Sequence, residues 1–244
     1  VFDLFKDYDQ AGYLRNRYGE KDPEIVRELE HALFRAGLDE ALGYLAKRRA
    51  LTYADFLEVH KILFAVFYPW AGQDRAATTP NIAVSKVDTV FSHPLDAQRA
   101  VEEGLRIGQD KAALRLRPGE VMGWFAYGHP FLDGNGRTML IIHSELCYRA
   151  GFCIEWHRTQ KTAYLAALSA EIVSPGKGIL DAYLLPFVGT AQERHLWGGA
   201  IGDIRGLDGR SIEDTVDGEY SDARVAQKYQ AFELKRGRTV PRDR

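Results

Sequence analysis

Cysteine is nearly missing from this chain of 244 residues: there are two, Cys147 and Cys153. They flank the end of one helix and the turn after it, which cannot make a disulfide framework, and no second pair supplies a zinc site. They read as small buried apolar residues in a reducing compartment. Charge of either sign is also missing in excess. The net charge is −2, with 32 basic and 34 acidic residues, so nothing draws the chain generally to nucleic acid or anionic lipid. No apolar run approaches the roughly 18 residues of a membrane span. The first residues, VFDLFKDYD, have neither the basic nor the apolar stretch of an export signal. The expected location is a cytoplasm, its own or another cell's if the chain is part of a longer secreted effector. What remains is the profile of a globular protein, 45% hydrophobic and 27% charged, long enough to bury a core without disulfide or metal.

Most of the chain reads as helix. Asp22-Pro23-Glu24 is a helix start, and Ile25, Leu29, Ala32 and Leu33 follow at helical spacing. Gly37 is expected to separate this helix from a second over 38–47. Thr52 with Asp55 opens a third, with Phe56, Val59, Leu63 and Val66 as its buried stripe. The pattern breaks at Tyr68. Between there and Pro94, two β-rich pieces, 81–84 and 87–91, predict a small hairpin turning at Ser85-Lys86. Helical spacing returns over 95–113, again from Arg117-Pro118 through Tyr127, over 137–149 up to Gly151, and over 159–173 and 179–188. Residues 198–222 hold six glycines, many charges and few large apolar residues, a linker-like composition, and a last helix is expected over 222–236. The fold class is therefore mainly α, a helical bundle with a small β-hairpin. We divide it into an N-terminal helical extension (1–49), a core domain (50–190) and a C-terminal extension (191–244).

The chemistry concentrates in one stretch, HPFLDGNGR, residues 129–137. Gly134-Asn135-Gly136 lies between two helices, and glycines let successive N–H groups converge on an anion. The next helix aims its N-terminal N–H groups at the same place. Arg137 adds an always-charged planar fork. Asp133, one residue ahead, would repel phosphate unless a cation lay between, which points to Mg²⁺. His129 titrates near neutrality and can take a proton from an incoming hydroxyl. Base, metal ligand and anion cradle within nine residues suit in-line transfer at phosphorus. Each element alone is an ordinary structural feature. Eight fixed positions together arise by chance at about 10⁻⁸ for a chain this size.

The stretch resembles the signature of the Fic family, H-P-F-x-[DE]-G-N-G-R, with every defining position filled. Tyr68, Trp70, Ala71, Gly72 and Arg75 are similar to that family's YxWAGxxR segment, Ser85, Lys86 and Phe91 to flap positions, and Gly151, Phe152, Ile154 and Trp156 to a piece after the motif helix. The resemblance covers roughly residues 50–190. It implies a helical fold with a hairpin flap that aligns an extended target segment by main-chain pairing, here around Val84, Ser85 and Lys86. It implies transfer of AMP from Mg-ATP to Ser, Thr or Tyr of a target protein. His129 would be the base, Asp133 the Mg²⁺ ligand, and Gly134, Asn135, Gly136 and Arg137 the phosphate cradle, with Tyr164 an aromatic near the base and Phe131 a core anchor of the loop. A separate antitoxin-like inhibitor is a further partner in this scheme; nucleic acid and membrane are not.

Two positions depart from the family pattern. Many AMP-transferring members continue the motif as GRxxR, but Leu140 stands where the second arginine would bind the γ-phosphate. The simplest reading is a core leucine, and a charge-assisted contact worth ~1.5–3 kcal/mol is then missing. Members are also often held off by a [ST]-x-x-x-E-[GN] helix. Residues 1–51 hold no Ser or Thr, and TVDGEY at 215–220 has Glu219 at the right spacing but Tyr220 after it, which reads as coincidence. Three alternatives follow: another phosphate-containing donor, a catalytically silent nucleotide- or partner-binding module, and a metal-dependent phosphodiesterase. The last would want clustered ligands, and the other histidines, His60 and His143 among them, show none.

Overall fold

The structure is a computed structural model that describes residues 16–87, 89–202, 204, 207 and 215–238. It opens with α1 (Pro23–Ala46), started as the sequence predicts: Asp22 accepts from the N–H groups of Glu24 and Ile25, with Pro23 first in the helix. The expected break at Gly37 is absent. α1 runs straight through it because a Cβ there would stand 3.2 Å from the Ile62 carbonyl. The glycine lets two helices touch rather than ending one. The partner is α2 (Tyr53–Phe64), opened by the Thr52–Asp55 capping box. Phe34, Leu38, Phe56 and Leu63 fill the seam between them.

A short α3 (Arg75–Thr78) leads to the hairpin of β1 (Ile82–Lys86) and β2 (Thr89–Val90). Ser85 pairs with Val90 and Lys86 with Thr89, so the strand runs on through the expected turn at Ser85-Lys86 and the turn follows it. Val87 takes a positive φ, 55°, as tight hairpin turns favour. Ser85 is in the strand and buried because β1 is the middle of three strands, in the order β2-β1-β5. β5 (Thr215–Glu219) comes from the stretch whose composition is linker-like. Its pairing is main-chain, which glycine and charge do not forbid.

The rest of the bundle follows as α4 (Ala97–Gly108), α5 (Lys111–Leu116), α6 (Pro118–Gly128), α7 (Asn135–Arg149), α8 (Lys161–Val173), α9 (Ile179–Leu184), α10 (Trp197–Gly202) and α11 (Ala223–Lys235). α4 and α5 part at Asp110, whose side chain caps α5. A second sheet, β3 (Phe152–Ile154) against β4 (Val188–Thr190), is missed by the helical spacing. α6 is apolar nearly all round, with Val121, Met122 and Phe125 buried, which places it at the centre. It packs on α4, α8 and α9 and delivers the chain to the motif loop. No helix among the described residues is long and apolar enough to cross a membrane.

Candidate active site

α6 ends at Gly128, and His129 caps it in the left-handed conformation, φ 41°. A non-glycine residue there is strained and is kept only where the surroundings over-determine it. Those surroundings are visible. The Arg75 Nε donates to the His129 carbonyl (2.7 Å), and the Arg75 N–H donates to the Pro130 carbonyl (2.6 Å). The imidazole stacks face to face on Phe91, centroids 3.7 Å apart and planes 8° apart. Asn135 completes the brace. Its Oδ1 accepts from the Phe131 N–H (2.9 Å), so its Nδ2 must be the atom facing Phe131 O (2.8 Å) and His129 Nε2 (3.1 Å). An amide nitrogen can only donate. His129 therefore accepts at Nε2 with that nitrogen unprotonated, the form a general base needs.

Beneath the loop, Phe131 is fully buried and stacks on His60 at 3.7 Å. His60 accepts from the Gly72 N–H at Nδ1 (2.9 Å), so it carries its proton on Nε2 and gives it to the Asp133 carbonyl (3.0 Å). Burial drives its pKa down to about 3, so it is a neutral strut. Gly134 follows at φ 77°, and a Cβ there would lie 2.6 Å from the Phe64 ring. Only glycine meets both demands.

The phosphate-handling residues are arranged differently. α7 starts at Asn135 without a side-chain cap, leaving its first-turn N–H groups without intrahelical partners. The Gly134 N–H is taken by Asp133 Oδ1 (2.6 Å). At Gly136 nothing lies within 4 Å of where a Cβ would be, an open cradle at a helix start. Arg137 is not a solvated fork. It is buried under Phe64 and Phe34, its guanidinium 4.7 and 5.5 Å from their centroids. It donates through Nη2 to Glu30 Oε1 (2.6 Å), while its Nη1 is buried with no hydrogen-bond partner. Burial works against its charge, but the Glu30 carboxylate, then Asp133, outweigh this and hold it protonated. Burial pushes the Glu30 carboxyl up and the guanidinium pulls it back, with a further hydrogen bond from Tyr68.

An orphaned Arg137 nitrogen, an uncapped helix start and an open face at Gly136 fit a bound anion such as a nucleotide phosphate. For a metal ion the donor set is thin. Among the described residues no group of three His, Cys, Asp or Glu could hold one. Asp133 is a single carboxylate, 36% exposed, and fits a cation that takes its other ligands from phosphate and water.

Several expected residues lie elsewhere or act otherwise. Asn135, expected in the phosphate cradle, turns its side chain onto the loop and His129. Tyr164, on α8, has its ring against Trp156 (5.3 Å) and Tyr183 (6.4 Å), outside the motif loop. Leu140 is a core residue. Val84 and Ser85 are buried in β1, and Lys86 is half-buried at its end. Glu219 is exposed and hydrogen-bonds to Ser221. Missed by the sequence reading were Glu30, Arg75 as a strut and His60. The absence of Ser and Thr before residue 52 removes the pattern sought there, yet a glutamate from that region sits on the motif arginine. Its position on the buried face of α1 was the available signal.

The model of the Fic/DOC family matches residues 50–147. The protein adenylyltransferase VbhT of Bartonella schoenbuchensis is 29% identical over 161 residues, 62% of this chain and 32% of VbhT. The probable protein adenylyltransferase y4lH of Sinorhizobium fredii is 27% identical over 170 residues, 66% of this chain and 84% of that protein. The chain thus spans about a third of the first relative and most of the second. Among solved structures, the N-terminal Fic domain of a Bartonella quintana Bep effector with bound ADP superposes with TM-score 0.61 at 20% identity, covering 78% of this chain and 96% of that one. BepC of Bartonella tribocorum with bound AMPPNP gives 0.59 at 18%, covering 76% and 96%. Motif, family model and shared fold agree in their likeness to the Fic/DOC family, carried by residues 50–147.

Proposed function

We propose that the chain is a protein adenylyltransferase, moving AMP from Mg-ATP onto a hydroxyl side chain of a target protein. The observation that carries this is the unprotonated Nε2 of His129, which accepts from Asn135 Nδ2 and is held over a loop whose far end offers a helix start and a buried arginine. The relatives' names and the nucleotides bound to two structural neighbours support the same reading. A Ser, Thr or Tyr hydroxyl replaces Asn135 as the donor to Nε2. As its oxygen attacks the α-phosphorus, its proton passes to Nε2 and the bond to the pyrophosphate oxygen breaks. The α7 N-terminus and Arg137 stabilise the charge that develops on the phosphate oxygens. Asp133 would hold Mg²⁺, which supplies charge neutralisation to the phosphates. Arg75, Phe91 and His60 keep the base and loop in place and exclude water around them.

His129→Ala should lower transfer by about 10² to 10⁴ and leave ATP affinity nearly unchanged, because His129 lies at the opposite end of the loop from Arg137. Paired measurements of AMP incorporation and ATP binding decide this. Transfer at the wild-type rate would remove His129 from the mechanism, and equal loss of binding and transfer would make it a structural residue.

A further inference from the structure

The edge of β1 facing away from β2 is covered by this chain's own β5. Ile82 pairs with Glu219, Ala83 with Gly218, Val84 with Val216 and Ser85 with Thr215. The register skips one residue, so Asp217 is extra, and Gly218 beside it takes φ 118°, a value only glycine adopts readily. The extra residue turns its carboxylate to Lys228 of α11, whose Nζ also donates to Ser85 Oγ (3.1 Å). After the strand, the Tyr220 N–H donates to the Asn81 carbonyl (2.9 Å), and its ring lies 4.3 Å from His93. The charge of Arg75, the residue that holds the His129 carbonyl, is felt at the Tyr220 hydroxyl. The strand therefore ends beside the base's own support.

The two pieces of this C-terminal segment are held with unequal strength. α11 is anchored in the core: the Tyr127 hydroxyl donates to Glu233 (2.7 Å), Arg236 donates to the Ile172 carbonyl, and Tyr229 and Phe232 are buried. β5 has no such anchor. Val216, Asp217 and Gly218 are half-buried and Glu219 is exposed, so main-chain bonds and the Asp217–Lys228 clamp hold it. Segments with few buried apolar contacts open first, and α11 keeps the opened strand nearby. The hairpin's other edge is a poor alternative. β2 is two residues long, and both are buried.

The family resemblance gives the flap to an extended segment of the target, and we propose that residues 215–219 are the resident occupant of its outer β1 edge, which the target displaces. The incoming segment carries a carboxylate at the place of Asp217, met by Lys228. This rests on the adenylyltransferase reading only for what happens after docking; the strand exchange can be measured without it.

The test uses the full chain with Gly218→Val, which strains β5 off β1, and Lys228→Met, which removes the clamp without touching the strand. Hydrogen exchange at the amides of residues 82–86 should accelerate about tenfold or more in both, while α7 and α11 exchange as in the wild type. A synthetic peptide with the sequence of residues 214–220 should restore protection in Gly218→Val. It should bind the wild type about tenfold more weakly, since there the edge is occupied. The same peptide with asparagine at the Asp217 position should bind the Gly218→Val protein less well. Incorporation of AMP into lysate proteins should rise in both variants at unchanged ATP affinity. Unchanged protection of residues 82–86 in both variants would overturn the proposal. So would an exposed edge that ignores the peptide, or an exposed edge in variants that transfer AMP only at the wild type's measurable rate. If neither wild type nor variants transfer AMP while protection and peptide binding behave as expected, the strand exchange stands and the adenylyltransferase reading falls.

Discussion

At its first residue the motif loop is braced by a ring, a carboxamide and a guanidinium on its backbone carbonyl, with no carboxylate among them; at its last it is held by an ion pair. His129 is fixed by a ring stack, a carboxamide and a backbone carbonyl gripped by Arg75. Arg137 is fixed by Glu30, whose charge competes with the phosphate the arginine would bind. The base end is ready before any ligand arrives. The phosphate end is neutralised in advance by a carboxylate from a helix 107 positions away in sequence. In the function proposed above, one loop would thus combine a preorganised base with an anion site whose charge Glu30 already offsets. Electrostatic preorganisation favours the first arrangement for chemistry, and the second makes anion binding depend on what Glu30 does.

The largest way to disturb this comparison is acid. His60, the strut beneath the loop, is buried neutral with its pKa near 3, and His143, bonded to the Pro118 carbonyl, is held near 4, both chiefly by burial. Unfolded histidines titrate near 6.5, so below that pH unfolding takes up a proton at each. Their stability contribution is fully present above about pH 6.5 and is lost as pH falls toward the folded values, at about 1.4 kcal/mol per pH unit for each. His60→Gln should remove one of the two protons from the slope of unfolding free energy between pH 6 and 4. An unchanged slope would mean that His60 is not buried neutral.

A smaller effect tests the phosphate end. Glu30→Gln keeps a hydrogen-bond acceptor beside Arg137 and removes the competing charge. ATP should then bind about tenfold more tightly, and raise the melting temperature of the variant more than that of the wild type. Equal ATP affinity by calorimetry would show that the ion pair does not limit anion binding. Smaller again is Asp133→Ala, expected to abolish the several-fold tightening of ATP that Mg²⁺ provides while leaving metal-free binding nearly as it was. An equal loss with and without Mg²⁺ would make Asp133 a loop residue, fastened by its bond to the Gly134 N–H.

The base end was also the end legible in the sequence, and the reason is distance along the chain. His129, Phe131, Gly134 and Asn135 lie within seven positions, and their contacts with one another are dictated by a helix end, a glycine turn and a helix start. Helix starts at Asp22-Pro23 and Thr52 were legible for the same local reason. Glu30 with Arg137, His60 with Asp133 and Arg75 with His129 are partners across the fold, and no periodicity announces them. Gly37 shows the ambiguity of a single residue type, since glycine serves a close helix approach as readily as a helix end. β5 shows a second limit. Strand pairing satisfies backbone groups whatever the side chains are, so TVDGE reads as linker until its partner is known.

The central claim is that the loop from His129 to Arg137 serves attack at the α-phosphorus, and the position of a radiolabel tests it most directly. Target protein incubated with the chain and ATP should take up label from the α-phosphate and none from the γ-phosphate. Label entering from the γ-phosphate would mean phosphoryl transfer, and label from neither, with the protein folded and nucleotide bound, would contradict the account.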